Sequence, residues 1–144
     1  MKKNKILIVS ARYYTDLMDN MEADAKLILE NNDHFAVNEY SFFEVPGVFE
    51  IPVVISRYIN KFDGFIALGC VIRGETSHYD YVCTESSRAL MQLSLDGLPI
   101  GYGILTCESK EQALDRSSSK GLNKGKAATL ACIRMIEVLK GLDK

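Results

Sequence analysis

The run Phe65-Ile66-Ala67-Leu68-Gly69-Cys70-Val71-Ile72, opened by Asp63-Gly64, decides the fold. It is apolar throughout, does not alternate, and is bounded by turn residues. A strand with no polar face must be covered on both sides, which is the situation inside a parallel sheet. Lys5 to Ala11 (KILIVSA) repeats the pattern nearer the start of the chain, and Ile100 to Thr106 repeats it after the turn Gly97-Leu98-Pro99. A looser alternation from Phe35 to Phe42, with Val37, Tyr40 and Phe42, supplies a further strand.

Helical spacing fills the intervals. Thr15 or Asp16 is placed to cap a helix in which Leu17, Met21, Ala25 and Ile28 recur, and Asn31-Asn32-Asp33 ends it. After the turn Val45-Pro46-Gly47, the segment Phe49 to Ile59 reads as a helix with Phe49, Val53 and Ile59 among its apolar positions. Pro52 falls in the first turn, where proline is tolerated. Tyr81 to Leu95 is helical, with Val82, Ser86, Ala89, Leu90 and Leu93 on one side. Glu108 to Arg116 forms a short helix, Ser117 to Asn123 a polar connection, and Lys124 to Leu142 the last helix. In that last helix Ala127, Ala128, Ala131, Met135, Val138 and Leu139 share a broad apolar side. Leu130 and Ile133 project opposite, as residues for a subunit contact would. Strand and helix thus alternate, which predicts an α/β fold: a four-stranded parallel sheet with helices on both faces, in one domain spanning 1–144.

Composition narrows the function. With 144 residues, 47% hydrophobic and 25% charged, the chain is too apolar for its charge to be disordered. Its apolar runs are far shorter than the ~20 residues a bilayer requires, and no secretory signal is visible, so a cytoplasmic protein without membrane contact is expected. A net charge of −2 argues against nucleic acid as a partner. Cys70, Cys83, Cys107 and Cys132 lie outside metal-binding spacing and read as reduced, mostly buried thiols, with no metal implied. Charge is unevenly spread, and a basic excess gathers between Lys110 and Lys126, as either a solvated face or a site for a small anion.

Ligands of such sheets bind beyond the carboxyl ends of the strands, and the unusual residues fall there. Gly74-Glu75-Thr76-Ser77-His78 joins a buried strand to a helix. Backbone N–H groups at the helix start, a glycine and the Thr76 hydroxyl would hold an anion. The plain alternative is a turn in which Ser77 caps the helix and Asp80 closes the box. His78 lies beside that loop and is of the type that transfers protons at neutral pH. His34 falls on the opposite side of the sheet, at the surface. Glu50 opens a helix after the Pro-Gly turn, where a carboxylate is favoured electrostatically and would also accept from sugar-like hydroxyls. Tyr13, Tyr14 and Phe49 are placed to stack on a flat ring or to fill core. Arg116, Lys120 and Lys124 supply mobile positive charge, arginine being the better phosphate clamp.

Taken together, Val45-Pro46-Gly47-Val48-Phe49-Glu50-Ile51-Pro52, the segment Ala67 to Val82 with its Arg73-Gly74-Glu75-Thr76-Ser77-His78 centre, and Asn123-Lys124-Gly125 resemble the 6,7-dimethyl-8-ribityllumazine synthase family, also called the riboflavin synthase beta-subunit family. The resemblance runs from about Ile6 to Leu139. It implies a flavodoxin-like fold and a transferase of riboflavin biosynthesis. The reaction condenses 5-amino-6-ribitylaminouracil with 3,4-dihydroxy-2-butanone 4-phosphate to give the lumazine, phosphate and water, with no metal and no organic cofactor. By position, Tyr13 would stack on the pyrimidine, and Gly47, Val48, Phe49 and Glu50 would hold the ribityl chain. Val71 and Ile72 would present backbone groups to the heterocycle. Gly74, Glu75 and Thr76 would bind phosphate, and His78 would shuttle protons. Tyr102, Arg116 and Lys124 would come from an adjacent chain of a homopentamer. In some members twelve pentamers close into an icosahedral shell of sixty chains, and association with riboflavin synthase is a further implied partnership. The chain departs from the family in carrying Tyr13-Tyr14 where Phe-Asn is frequent, Tyr102 where phenylalanine is usual, and a short arm before the first strand. A catalytically inactive module for flavin or ribityl compounds and a cage-forming structural protein are the competing readings.

Overall fold

A computed structural model describes residues 4–31 and 37–141. In chain order these form β1 (Asn4–Ala11), α1 (Thr15–Glu30), β2 (Val37–Val45), a 3-10 turn (Val48–Glu50), α2 (Ile51–Arg57), β3 (Gly64–Ile72), α3 (His78–Leu95), β4 (Ile100–Cys107), α4 (Lys110–Ser117) and α5 (Lys124–Gly141). The strands make one sheet in the order β2-β1-β3-β4, with every pairing parallel. The expected α/β arrangement is therefore the one the chain adopts.

The scarcity of polar positions in the central strands has a direct cause. Successive residues of a strand face opposite sides, and both sides are covered. Ile6 and Ile8 of β1 and Ile66 and Leu68 of β3 pack against Met21 and Ala25 of α1 and Cys132 and Ile136 of α5. Leu7 and Val9, with Phe65 and Ala67, pack against Ile51 and Ile55 of α2 and Leu90 of α3. Each fully buried Leu or Ile contributes about 1.5–3 kcal/mol. The α5 helix lies so close to β4 that a Cβ at Gly101 would sit 2.0 Å from the Ala128 carbonyl oxygen, so only glycine permits that approach.

Several local expectations need correction. Among the described residues strand β2 is Val37–Val45, ending three residues beyond the expected Phe42, while the expected start at Phe35, like His34 and Leu142, lies outside the described residues. Helix α1 starts at Thr15, but its N-cap is Tyr14, and no side-chain cap bond forms. Its Leu17, Met21 and Ala25 are buried as expected, joined by Met18 and Leu29. The segment after the Pro-Gly turn begins as a 3-10 turn and ends at Arg57, and its buried residues are Val48, Ile51 and Ile55. Phe49 and Val53 face outward instead, 58% and 67% exposed. In α5 the inward face is Ala128, Thr129, Cys132, Ile133 and Ile136, so Ile133 belongs to the core. The exposed apolar residues of that helix are Leu130, Met135 and Leu139. The sheet therefore meets a different arc of α5 from the one expected, because the helix is apolar on most of its circumference.

Cys70, Cys107 and Cys132 are buried, Cys83 is half-buried, and all four are free. Burial pushes the Cys70 and Cys132 thiols up to about 12, which keeps both protonated at neutral pH. Among the described residues no helix is long and apolar enough to cross a membrane.

Candidate functional site

Strands β1 and β3 are neighbours, and the chain leaves their carboxyl ends in opposite directions: from β1 through α1 to β2, and from β3 through α3 to β4. That divergence opens a crevice at the strand ends. The resulting cleft has a volume of about 660 Å³, within the range of small-molecule sites.

Its walls come from four segments. Ala11, Tyr13 and Tyr14 follow β1, Gly47 to Glu50 follow β2, and Cys70 to Ile72 end β3. Gly74, Thr76, His78, Tyr79, Tyr81 and Val82 come from the next loop and the start of α3.

The turn after β2 is fixed from below. Val48 sits over Gly69 of β3, where an added Cβ would lie 2.5 Å from Val48 Cγ2. The Glu50 N–H donates to the Gly47 carbonyl at 3.1 Å and closes the turn. With Val48 facing the sheet, Phe49 is left facing solvent beside the cleft, and Glu50 is half-buried at its wall.

On the opposite wall α3 begins at His78, three residues earlier than the apolar spacing suggests. Ser77 occupies the N-cap position without a side-chain cap bond. The hydroxyl that serves the helix start is Thr76 Oγ1, which accepts from the His78 N–H at 3.3 Å. The box expected from Ser77 and Asp80 is therefore not formed, because the Asp80 carboxylate is paired with Arg73. A Cβ at Gly74 would meet nothing within 4 Å, so the loop stands open to the cleft. The 18-residue helix α3 starts here at His78, and a helix start carries the positive end of the helix dipole, an arrangement suited to an anion.

Aromatic residues form the third wall. Tyr13 is 75% exposed and meets Tyr14 edge-on, with centroids 4.9 Å apart. Burial, followed by Cys70 and Tyr13, raises the Tyr14 hydroxyl above its ordinary range. Lys110 Nζ lies 5.1 Å from the centre of the Tyr14 ring and 3.4 Å from Asp16. Arg12 is adjacent but already engaged by Asp19 and Glu22. Glu22 also accepts from Ser10 Oγ at 2.7 Å in the core.

Not every candidate residue enters the cleft. Glu75 lies on the exposed part of the loop. Tyr102 is on β4, partly exposed, with its hydroxyl raised by burial. Arg116 lies in the last turn of α4, where Nη1 donates to Gln112 Oε1 at 3.3 Å and to Cys107 Sγ at 3.6 Å. Lys124 opens α5 and is exposed. It follows Asn123, whose φ of 42° is left-handed. Asn123 Nδ2 donates to Asp24, which also accepts from Ser119 Oγ at 2.9 Å. Residues 116–124 thus do not line the cleft.

Ala11, Cys70, Tyr79, Tyr81 and Val82 line the cleft without having been singled out. An α3 start at His78 would have signalled Tyr79 and Val82, since both then share a helical face near the loop. Among the described residues no group of three or more His, Cys, Asp and Glu side chains is placed to hold a metal ion.

The profile of the 6,7-dimethyl-8-ribityllumazine synthase family matches residues 3–140. Enzymes of that name from Agrobacterium fabrum and Zymomonas mobilis are each 45% identical to the chain. The first alignment covers 99% of both sequences, and the second covers 96% of this chain and 99% of the relative. The enzyme of Desulfovibrio desulfuricans is 38% identical over 96% of this chain and 90% of its own length.

Proposed function

The chain belongs to the 6,7-dimethyl-8-ribityllumazine synthase family, and on that footing we propose that the cleft condenses 5-amino-6-ribitylaminouracil with 3,4-dihydroxy-2-butanone 4-phosphate. The protein is an enzyme of riboflavin biosynthesis, a transferase acting on small molecules. One observation carries the assignment of the cleft. A helix start suited to phosphate and His78 form one wall, while Glu50 and Tyr13 line the same space from other segments.

The chemistry asks for positioning above all. The amine of the uracil attacks the ketone of the butanone and water departs, leaving an imine. Loss of inorganic phosphate leaves an enol that becomes a ketone, the ribityl-bearing nitrogen adds to that carbon, and a second water leaves the carbinolamine as the ring closes. Holding both substrates in one cleft converts an encounter into an intramolecular step, which can supply most of the rate. The N–H groups around Gly74 and Thr76 take the phosphate, with Glu75 beside them. Tyr13 stacks on the pyrimidine. Gly47 to Glu50 hold the ribityl chain, with Glu50 accepting from its hydroxyls. Val71 and Ile72 offer backbone groups to the heterocycle, and His78 relays protons between imine, enol and carbinolamine.

Arg116, Lys124 and Tyr102 complete the site of an adjacent subunit in a homopentamer, a reading supported by their absence from this chain's own cleft lining. Further assembly into a shell, association with riboflavin synthase, a single-domain organisation and a cytoplasmic location complete the proposal.

The assay is direct. Purified protein mixed with both substrates develops the absorbance and fluorescence of the lumazine. A correctly assembled protein that binds ribityl compounds but never forms product would overturn the catalytic reading.

A further inference from the structure

We propose that Arg73 is a positioning residue: it ties the first turn of α3, and with it His78, to the junction of β4 and α4, and takes no phosphate itself. This deepens the cleft assignment above and rests on it. Arg73 immediately precedes the anion loop and ends no other element, so by position alone it would pass for a phosphate ligand.

Its geometry points elsewhere. The Arg73 N–H donates to the Cys107 carbonyl at 2.9 Å, extending the β3–β4 ladder by one residue. From that anchored backbone the side chain turns toward α3 and α4. Nε donates to Glu108 Oε2 at 2.8 Å. Nη1 and Nη2 lie 3.3 Å and 3.1 Å from the two oxygens of Asp80, a forked pair. The guanidinium carbon stands 4.4 Å from the centre of the Tyr79 ring. Two carboxylates and an aromatic face thus occupy the group, and they neutralise its charge locally.

The three partners matter for where they are. Tyr79 and Asp80 directly follow His78, and Tyr79 lines the cleft. Glu108 begins the segment leading to α4; its N–H donates to Gln112 Oε1 at 2.8 Å, and that same oxygen accepts from Arg116. The loop from Gly74 to Ser77 is exposed. The bridge through Arg73 therefore sets the angle at which α3 presents His78. Exposed ion pairs add little stability, so its role is geometric.

Kinetics of the assembled enzyme test this. Arg73→Gln keeps polarity but cannot reach both carboxylates. The expected result is a kcat reduced about tenfold, a KM for the phosphate-bearing substrate within twofold of wild type, and unchanged competition by inorganic phosphate. Arg73→Lys retains charge without the fork and should recover only part of kcat. The triple variant Arg73→Gln, Asp80→Asn, Glu108→Gln should be no slower than the single one, because all three belong to one bridge. A large rise in KM and in the phosphate inhibition constant, with kcat preserved, would make Arg73 a phosphate ligand and overturn the proposal. Wild-type kinetics in Arg73→Gln would overturn it too. Failure of the wild-type enzyme to form lumazine would instead refute the cleft assignment on which it stands.

Discussion

Replacing Gly69 with alanine adds one methyl group beneath the turn that carries Gly47 to Glu50, and the outcome can be worked out in advance. The new Cβ would lie 2.5 Å from Val48 Cγ2, 3.4 Å from Ala11 Cβ and 3.8 Å from Ile104 Cγ1. Carbon atoms settle at roughly 3.5–4.0 Å, so about 1 Å must be found at Val48 alone. Val48 is buried, and its branched side chain has one stiff torsion, so rotation offers little relief. The displacement passes to the backbone of the 3-10 turn. Overpacking of this kind costs about 1–3 kcal/mol. Restricting the unfolded chain returns about 0.4–1 kcal/mol. A net loss near 1–2 kcal/mol corresponds to a fall in Tm of roughly 3–7 °C for a chain of this size. Because Gly47 to Glu50 move while the phosphate loop does not, KM for the ribityl-bearing amine should rise several-fold and KM for the butanone phosphate should not. Trimming Val48 to alanine in the Gly69→Ala background should restore part of both. Thermal melting and steady-state kinetics with each substrate varied provide the readout. If Gly69→Ala melts like wild type, or the two substitutions simply add, the steric account is wrong.

Four further outcomes follow from the same geometry. His78→Ala should lower kcat about 10²-fold, the low end for acid–base groups, while affinity for the phosphate substrate holds; complete inactivity of a folded, assembled variant would contradict an assisting role. Inorganic phosphate should compete with the butanone phosphate and raise Tm, with Arg116→Ala weakening both effects and Lys120→Ala much less; inhibition untouched by Arg116→Ala would remove that residue from the site. A Glu50→Ala, His78→Ala chain and an Arg116→Ala, Lys124→Ala chain should each be nearly inactive, yet recover about a quarter of wild-type activity when unfolded and reassembled at equal amounts, since about one junction in four then joins two intact faces. Mixed rings as inactive as their parents, confirmed by mass, would assign the whole site to one chain. Finally, Cys132 keeps its proton to about 12 in the folded chain, against an ordinary value of 9.0. The unfolded state releases that proton first, so this contribution to stability is complete below pH 9 and declines between pH 9 and 12, by up to ~1.4 kcal/mol per pH unit. Cys132→Ala should flatten the alkaline fall in Tm, and an unchanged slope would contradict the assignment.

The fold was legible because its central strands are buried on both sides and are almost wholly apolar, Ser10 being the one polar residue within Ile6 to Ala11 and Phe65 to Ile72. Ile6 to Ala11 and Phe65 to Ile72 could hardly be anything else once helical spacing separated them. Faces were harder to read. Phe49 and Val53 are as apolar as Ile51 and Ile55, and only Gly69, a residue with no side chain to show, decides that Val48 rather than Phe49 meets the sheet. Ile133 was misplaced for the same reason, since α5 is apolar on most of its circumference. The start of α3 turned on Thr76 rather than Ser77, a choice between adjacent hydroxyls that spacing does not resolve. The segments that converge on the cleft were visible as unusual residues at strand ends. The engagement of Arg73 and Arg12 by carboxylates was not, because their partners lie up to 35 residues away in the sequence.

Every residue that lines the cleft falls between positions 11 and 82, whereas Ala128, Cys132 and Ile136 of α5 seal the other face of the sheet. That division has a consequence during translation. The residues that line this chain's own cleft are all polymerised before α5 exists, and at ~5–20 residues per second the gap from Val82 to Ile136 lasts roughly 3–11 s. During that interval Ile6, Ile8, Ile66 and Leu68 lack Ala128, Cys132, Ile133 and Ile136 of α5 as neighbours, and that part of the nascent sheet remains open to water. A substrate has nothing rigid to grip until synthesis is almost finished, so it cannot act as a template for the growing chain. The apolar face awaiting α5 is instead what a chaperone would meet first.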